Sequence, residues 1–272
     1  MRTKSAAVPY VFWMAVFVVV PLVLIVVYAF TNFDGEFTLE NFDNIDVFLQ
    51  VFGNSVVLAL IATAICLLIA YPFSYFLAQE GPIFRKVAML LIMLPMWMNF
   101  LLRTYAWMSI LENNGFLNQF LGLFGIGPLH IINTDVAVVL GMVYNFLPFM
   151  ILPLYSVMAK MDFRVIEAAQ DLGSNNWQIL RRVILPLSAP GIVSGVTMVF
   201  VPAVSTFVIS KLLGGSKYMM IGDVIETMFM GDGCNYNVGA ALSLVLMVLM
   251  LICMSLMRRV DNGEDELGGL MA

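Results

Sequence analysis

The chain has 272 residues, 61% of them hydrophobic and 11% charged, with a mean hydropathy of +0.95 and a formal net charge of −5. A soluble domain carries roughly 25% charged residues, so this composition excludes a water-soluble globular protein and leaves no room for a large soluble domain. Three cysteines without metal-ligand spacing and a single histidine, His130, argue against a disulfide framework, a metal site or a histidine proton relay.

Six segments are apolar over at least the roughly 18–20 residues that a helix needs to cross a bilayer. The first runs over about Val8–Phe30. The charged start Arg2–Lys4 before it resembles a signal peptide, but the apolar run is too long for a signal core, so it is read as an uncleaved first span. An acidic loop with Asp34, Glu36, Glu40, Asp43 and Asp46 leads to the second span, Val51–Ala78. The third, Val87–Leu111, follows Arg85 and Lys86 and contains Arg103. The next loop holds Glu112, His130 and Asp135, and the fourth span is Val136–Ala159. A polar island follows, and the fifth span runs from near Val183 to near Ser210. A loop with Lys211, Lys217, Asp223, Glu226 and Asp232 precedes the sixth span, Val238–Met257, and residues 260–272 form an acidic tail.

Lys and Arg set the orientation of membrane helices. Arg2, Lys4, Arg85, Lys86, Lys160, Arg164, Arg181, Arg182, Arg258 and Arg259 all fall on one side of a six-span chain. That side, with both termini, is expected to be cytoplasmic. The opposite loops are acidic, read either as plain solvated loops or as a mouth that attracts cations.

The polar island Glu167–Ile192 is longer and more helix-forming than a plain connector. Asp162 is placed to cap a helix over Phe163–Leu172, with Gly173 as its left-handed stop. Ser174 is placed to cap a second short helix carrying Trp177, Ile179 and Leu180. Pro186 and Pro190–Gly191 are expected to bend the chain into the fifth span. Such an element reads either as a docking surface for a soluble partner or as an amphipathic helix lying on lipid headgroups.

Glu167–Ala168–Ala169, Gly173 six residues after Glu167, then Leu185–Pro186 and Pro190–Gly191–Ile192 together resemble the EAA loop of ABC importer permeases. Leu94–Pro95–Met96–Trp97, Leu102–Trp107, Asn114–Asn118, Leu147–Met150, Pro153–Ser156, Gly214–Lys217 and Ile221–Ile225 resemble the permeases of spermidine/putrescine importers. The resemblance covers nearly the whole chain. It implies an all-α membrane protein, a single domain over 1–272 built as the six-helix bundle of type I, MetI-like importer permeases, with residues 160–192 as the coupling loop. Glu167, Ala168, Ala169, Asp171, Leu172, Gly173, Pro186, Pro190 and Gly191 would couple it to an ATPase. The implied partners are a dimer of ATP-binding subunits, which would hold ATP and Mg, a second homologous permease subunit and an extracytoplasmic polyamine-binding protein. The implied setting is the bacterial cytoplasmic membrane, with no nucleic-acid partner. The chain has no Gly-rich phosphate loop ending in Gly–Lys–Ser/Thr, so it is not expected to be an enzyme or to hold a cofactor itself.

For a polycation, the absence of Asp and Glu from the six segments suggests a weakly binding path of aromatic and neutral polar walls. Trp97, Asn99, Trp107, Tyr144 and Asn145 are the candidate lining residues, with Tyr155 and Ser156 on related faces and Asp223 and Glu226 at the mouth. Thr63, Ser74, Ser194, Thr197, Ser205 and Thr206 are read as helix-to-helix bonds, and Arg103 as one half of a structural ion pair with Glu112 or a loop acid. The rivals are a permease for another small solute, such as an organic amine, a phosphonate or a metal complex, and an ion-coupled transporter working alone.

Overall fold

The computed structural model describes residues 8–43, 45–125, 127–215, 219–231 and 234–269, with the side chains of 45, 47 and 256–269 outside the description. Arg2, Lys4, Ser216, Lys217 and Asp232 lie outside the described residues, as do the side chains of Arg258, Arg259 and the acidic tail. The described chain is helical apart from one isolated bridge between Thr31 and Phe37. Helices are the expected answer in lipid, because they satisfy their own backbone hydrogen bonds.

Helix α1 covers Val8–Ala29 and α2 covers Ile45–Gln79. The third expected span is not one helix. It divides into α3, Pro82–Met93, and α4, Phe100–Leu111, with a 3-10 turn over Leu94–Trp97 between them. The two halves, Pro82–Trp97 and Phe100–Gly122, meet at 92°. Pro95 has no N–H to continue the ladder, Met98 and Asn99 turn extended, and Asn99 Oδ1 then accepts from Leu101 N at 2.8 Å to start α4. Helix α5, Phe116–Gly122, follows, and α6 covers Asp135–Met158.

Next come α7, Arg164–Asp171, and α8, Asn176–Ser205. The expected proline bend into the fifth span is absent. Asn176–Ser205 is one helix with a π turn at Leu180–Ile184, and Pro186 and Pro190 lie in the helix that continues from it. Proline is tolerated there because a π turn already loosens the local ladder. The chain leaves α8 at Ser205, earlier than the expected Ser210, makes a π turn at Ser210–Gly214, and then forms α9, Ile221–Met230. Helix α10 covers Tyr236–Gly269, so its backbone carries the helix well beyond the expected Met257.

Helix α6 is the centre of the bundle and packs against α2 and α8 along their lengths. Small residues let the helices approach. Ala59, Ala62, Cys66 and Ala70 of α2 are buried at helical spacing, and so are Gly191, Gly195, Val199 and Ala203 of α8. A Cβ on Gly191 would stand 3.1 Å from Val157 Cγ2 and 3.2 Å from Pro153 O. Polar bonds between helices are few. Tyr71 Oη and Ser188 Oγ lie 3.0 Å apart, and Ser74 Oγ donates to Ile151 O at 3.4 Å. Thr63 and Ser205 instead bond to carbonyls of their own helix, correcting their reading as helix-to-helix bonds. Such Ser/Thr back-bonding needs no partner helix.

Helix α1 sits at the edge. Ala29 is its one buried residue, set against Ala240 and Ala241 of α10. Asn41 and Asn237 donate to the carbonyls of Ala29, Tyr28 and Thr31 that end α1. At the opposite end of the bundle, Arg85 donates to the carbonyls of Glu80 at 2.6 Å and Ala78 at 2.5 Å, closing the end of α2.

The α6–α8 contact predicts a stability effect at Gly191. Gly191→Val should overpack against Val157 and Pro153 and cost about 1–3 kcal/mol. The measurement is the thermal unfolding midpoint of the purified protein in detergent, and an unchanged midpoint would refute the close contact.

Candidate functional site

The polar island folds into a compact helical elbow. Helix α7 starts one residue later than expected, with Phe163 and not Asp162 at its N-cap; Asp162 Oδ1 still accepts from Arg164 N at 3.1 Å, and α7 ends in a glycine stop. Gly173 has φ +81°, and Gly173 N and Ser174 N donate to Gln170 O and Ala169 O at 2.8 and 3.1 Å. Those two bonds make a Schellman cap. The second helix is capped by Asn175, not Ser174. Asn175 Oδ1 accepts from Gln178 N at 2.9 Å, and Gln178 Oε1 accepts from Asn175 N at 3.0 Å. Asn175 wins because Gln178 stands three residues on, completing a capping box that Ser174 could not form.

This elbow has a small core of its own. Ile166, Ile179 and Ile184 are buried together, with Tyr71, Tyr75 and Phe163 against them. Ala169 faces that core, while Glu167, Ala168, Asp171, Leu172 and Gly173 face outward. Leu172 is 87% exposed and Trp177 68% exposed. Covering Leu172 alone would contribute about 1.5–3 kcal/mol to docking. Of the other candidate coupling residues, Pro186 and Pro190 are exposed on the first turns of α8 above the π turn, whereas Gly191 is buried against α6.

The candidate pathway residues do not form one site. Trp97 and Asn99 are exposed at the α3–α4 break. Trp107 and Tyr144 pack edge to face with centroids 5.1 Å apart. Asn145 is buried; its Nδ2 donates to Gly141 O at 2.9 Å, and its Oδ1 has no partner. Arg103 is also buried, with Nε unpartnered and the guanidinium 5.9 Å from the Phe100 ring. Among the described residues no carboxylate lies within 4.0 Å of it, so the expected ion pair is not formed. Glu112 follows it by nine positions, about 13 Å along the axis. His130 is a loop residue, with Nδ1 2.7 Å from Asn113 Oδ1.

The largest departure is at the loop between the fifth and sixth expected spans, which folds back into the bundle. The side chains of Ile209 and Leu213 pack on Gly141, six residues and about 9 Å along α6 from Asp135. Ile221 N donates to Ser55 Oγ at 2.9 Å, and Ser55 is ten residues and about 15 Å along α2 from its start. Gly222 is needed there, since a Cβ would stand 2.5 Å from Ser205 O. Asp223 is consequently 4% exposed. Its Oδ2 accepts from Met220 N at 2.8 Å, while Oδ1 is buried without a partner. Glu226, one turn on, pairs with Lys211 at 3.0 Å. Lys211, Gly215, Met219, Asp223, Glu226 and Thr227 line a cavity of about 300 Å³. The six apolar segments hold no acid, but the fold brings Asp223 into the bundle from outside them. The Lys211 side chain is 58% exposed, and a pair that open is worth about 0–1 kcal/mol.

Residues 70–264 match the family described as binding-protein-dependent transport system inner membrane component. The chain is 41% identical over 260 residues to the spermidine/putrescine transport system permease protein PotB of Haemophilus influenzae, covering 92% of this chain and 91% of that protein. It is 38% identical over 248 residues to the protein of the same description from Escherichia coli, covering 88% and 90%. A bacterial ABC transporter involved in the import of the acidic polysaccharide alginate has a similar fold, with TM-score 0.73, 18% identity and 95% of each chain covered.

The seat of α9 is testable without function. Ser55→Ala would leave Ile221 N buried without its acceptor, at a cost of about 1–3 kcal/mol. Amide exchange at the start of α9 should speed up; unchanged exchange would refute the anchor.

Proposed function

The chain belongs to the family of binding-protein-dependent transport system inner membrane components, and from that premise we propose that it is the permease subunit of an ATP-driven importer of spermidine and putrescine. It is a multi-pass membrane protein with five long apolar helices and one span broken between α3 and α4. The substrate reading is supported by the description of its relatives at 38–41% identity over most of the chain. The drive is read from the elbow at α7. Leu172 and Trp177 project from a capped, internally packed element, a cost in water that a docked subunit would remove.

In this reading the elbow and both termini face the cytoplasm, as the basic residues suggest. Glu167, Ala168, Asp171, Leu172 and Gly173 seat in a dimer of ATP-binding subunits, which hold ATP and Mg and carry out the hydrolysis. A second, homologous but different permease subunit completes the pathway, and an extracytoplasmic polyamine-binding protein delivers the cargo at the acidic end. Closure of the ATPase pair moves the elbow. Because α8 continues from the elbow to the Asp223 cavity region as one helix, that motion reaches the pathway and switches it between inward and outward opening. Trp107 and Tyr144 present aromatic edges and faces that hold a cation weakly, by about 0.5–2 kcal/mol per contact.

Two measurements test this. Glu167→Lys, a reversed charge on the exposed face of α7, should abolish uptake while membrane insertion and abundance stay normal; unchanged uptake would refute the docking role. In a strain dependent on this chain, spermidine and putrescine should each compete for uptake of the other. Competition by a different solute, and not by these, would move the substrate elsewhere.

A further inference from the structure

The cavity beside α9 has a charge pattern that its structural role does not explain. Asp223 and Glu226 stand three residues apart on α9, so they share a helix face. Like charges so placed repel. Lys211, the one cation lining the cavity among the described residues, bonds both Glu226 oxygens at 3.0 Å. Asp223 Oδ1 is left buried with no partner. Among the described residues one lysine thus faces two acids, and the oxygen without a hydrogen bond lies in the buried acid, with the Ser210 hydroxyl nearby. A buried orphan acceptor is costly unless something fills it.

The surroundings fit an amphipathic cation. Glu226 also lines a neighbouring cleft of about 570 Å³. That cleft is walled by Phe207, Ile225, Phe229, Leu246, Met247 and Met250. Acid cavity and apolar cleft therefore meet at the Lys211–Glu226 pair. A primary alkylammonium needs both surfaces, an acid for its head and apolar contact for its methylenes.

We propose that Asp223 and Glu226 form a site in this permease for a primary ammonium group of the cargo, and that Lys211 Nζ holds the place of that ammonium when the site is empty. An arriving ammonium takes Glu226 from Lys211 and gives Asp223 Oδ1 a donor, while the cargo's methylenes lie in the apolar cleft. The exchange replaces one ammonium by another at Glu226, so it neither strands a buried charge nor traps the cargo. Lys211, the exposed residue of a largely buried π turn, swings to water. The site rests on the amine-import reading and adds to it a permease-borne selection for charge.

The test is equilibrium binding of radiolabelled putrescine and spermidine to the intact transporter complex in nanodiscs, without binding protein. Lys211→Met should tighten binding about two- to fivefold, by removing the internal competitor. Asp223→Asn and Glu226→Gln should each weaken it about tenfold or more. A merely structural Lys211 would give the opposite sign or no change. Gel filtration of each complex shows that it assembles, and Glu226→Gln decides the matter if Asp223→Asn does not. Weaker or unchanged binding to Lys211→Met, or unchanged binding to Glu226→Gln, in assembled complexes would overturn the proposal. Failure of the unmodified complex to import either amine from proteoliposomes supplied with binding protein and ATP would overturn the amine reading itself, and the site with it.

Discussion

The unbroken backbone of Asn176–Ser205 is the constraint on which the other features depend. It begins in the elbow, where the Asn175–Gln178 capping box starts it, and ends at Ser205, whose carbonyl abuts Gly222. Its buried face of Ser188, Gly191, Gly195, Val199, Phe200 and Ala203 lies against α6 and α2. Prolines 186, 190 and 202 remove ladder bonds, but the helix runs on through all three. A displacement of the elbow therefore has a solid path to the far end of the bundle.

The elbow itself is a small folded unit and not a strip of amphipathic helix. A helix lying on headgroups would turn its apolar side toward lipid. Here Ile166 turns inward onto Ile179 and Ile184, and the Schellman cap at Gly173 fixes the angle between α7 and α8. What remains outside mixes the acids Glu167 and Asp171, the bases Arg164, Arg181 and Arg182, and the apolar Val165, Leu172 and Trp177. At the other end, the re-entrant segment carries an acid into the bundle. With Asp223 buried, the lack of acids in the spans no longer separates this chain from an ion-coupled transporter. Family membership makes that distinction instead.

Much of the bundle was legible in the sequence, because a span announces itself by length and hydropathy alone. The elbow was legible too, since Asp162 and Gly173 carry local signals whose geometry does not depend on tertiary context. The cap moved from Ser174 to Asn175 only because Gln178 completes the box. Three features were not legible, each for a physical reason. The break at Leu94–Asn99 lies inside a run that is apolar enough on average to read as one span, and Pro95 and Asn99 do not separate a kink from a 92° turn. Arg103 and Glu112 are close in sequence but held apart by the helix rise. The burial of Asp223 depends on a contact 166 residues away, Ser55 to Ile221. A local sign was present: Met219–Met220–Ile221 and Val224–Ile225 bracket a single acid with residues that a solvated loop would not carry.

The central claim is that α8 moves as one body between the elbow and the pathway. Spin labels at residues 177 and 198, both exposed on α8, in a background with Cys66, Cys234 and Cys253 replaced, would measure it by pulsed dipolar spectroscopy. Twenty-one residues of helix put the two backbone positions about 31 Å apart. The account predicts the same distance in the assembled transporter without nucleotide and with ATP trapped. A change of one helical turn, about 5.4 Å, would mean that the helix bends at its π turn or prolines, and would contradict the account.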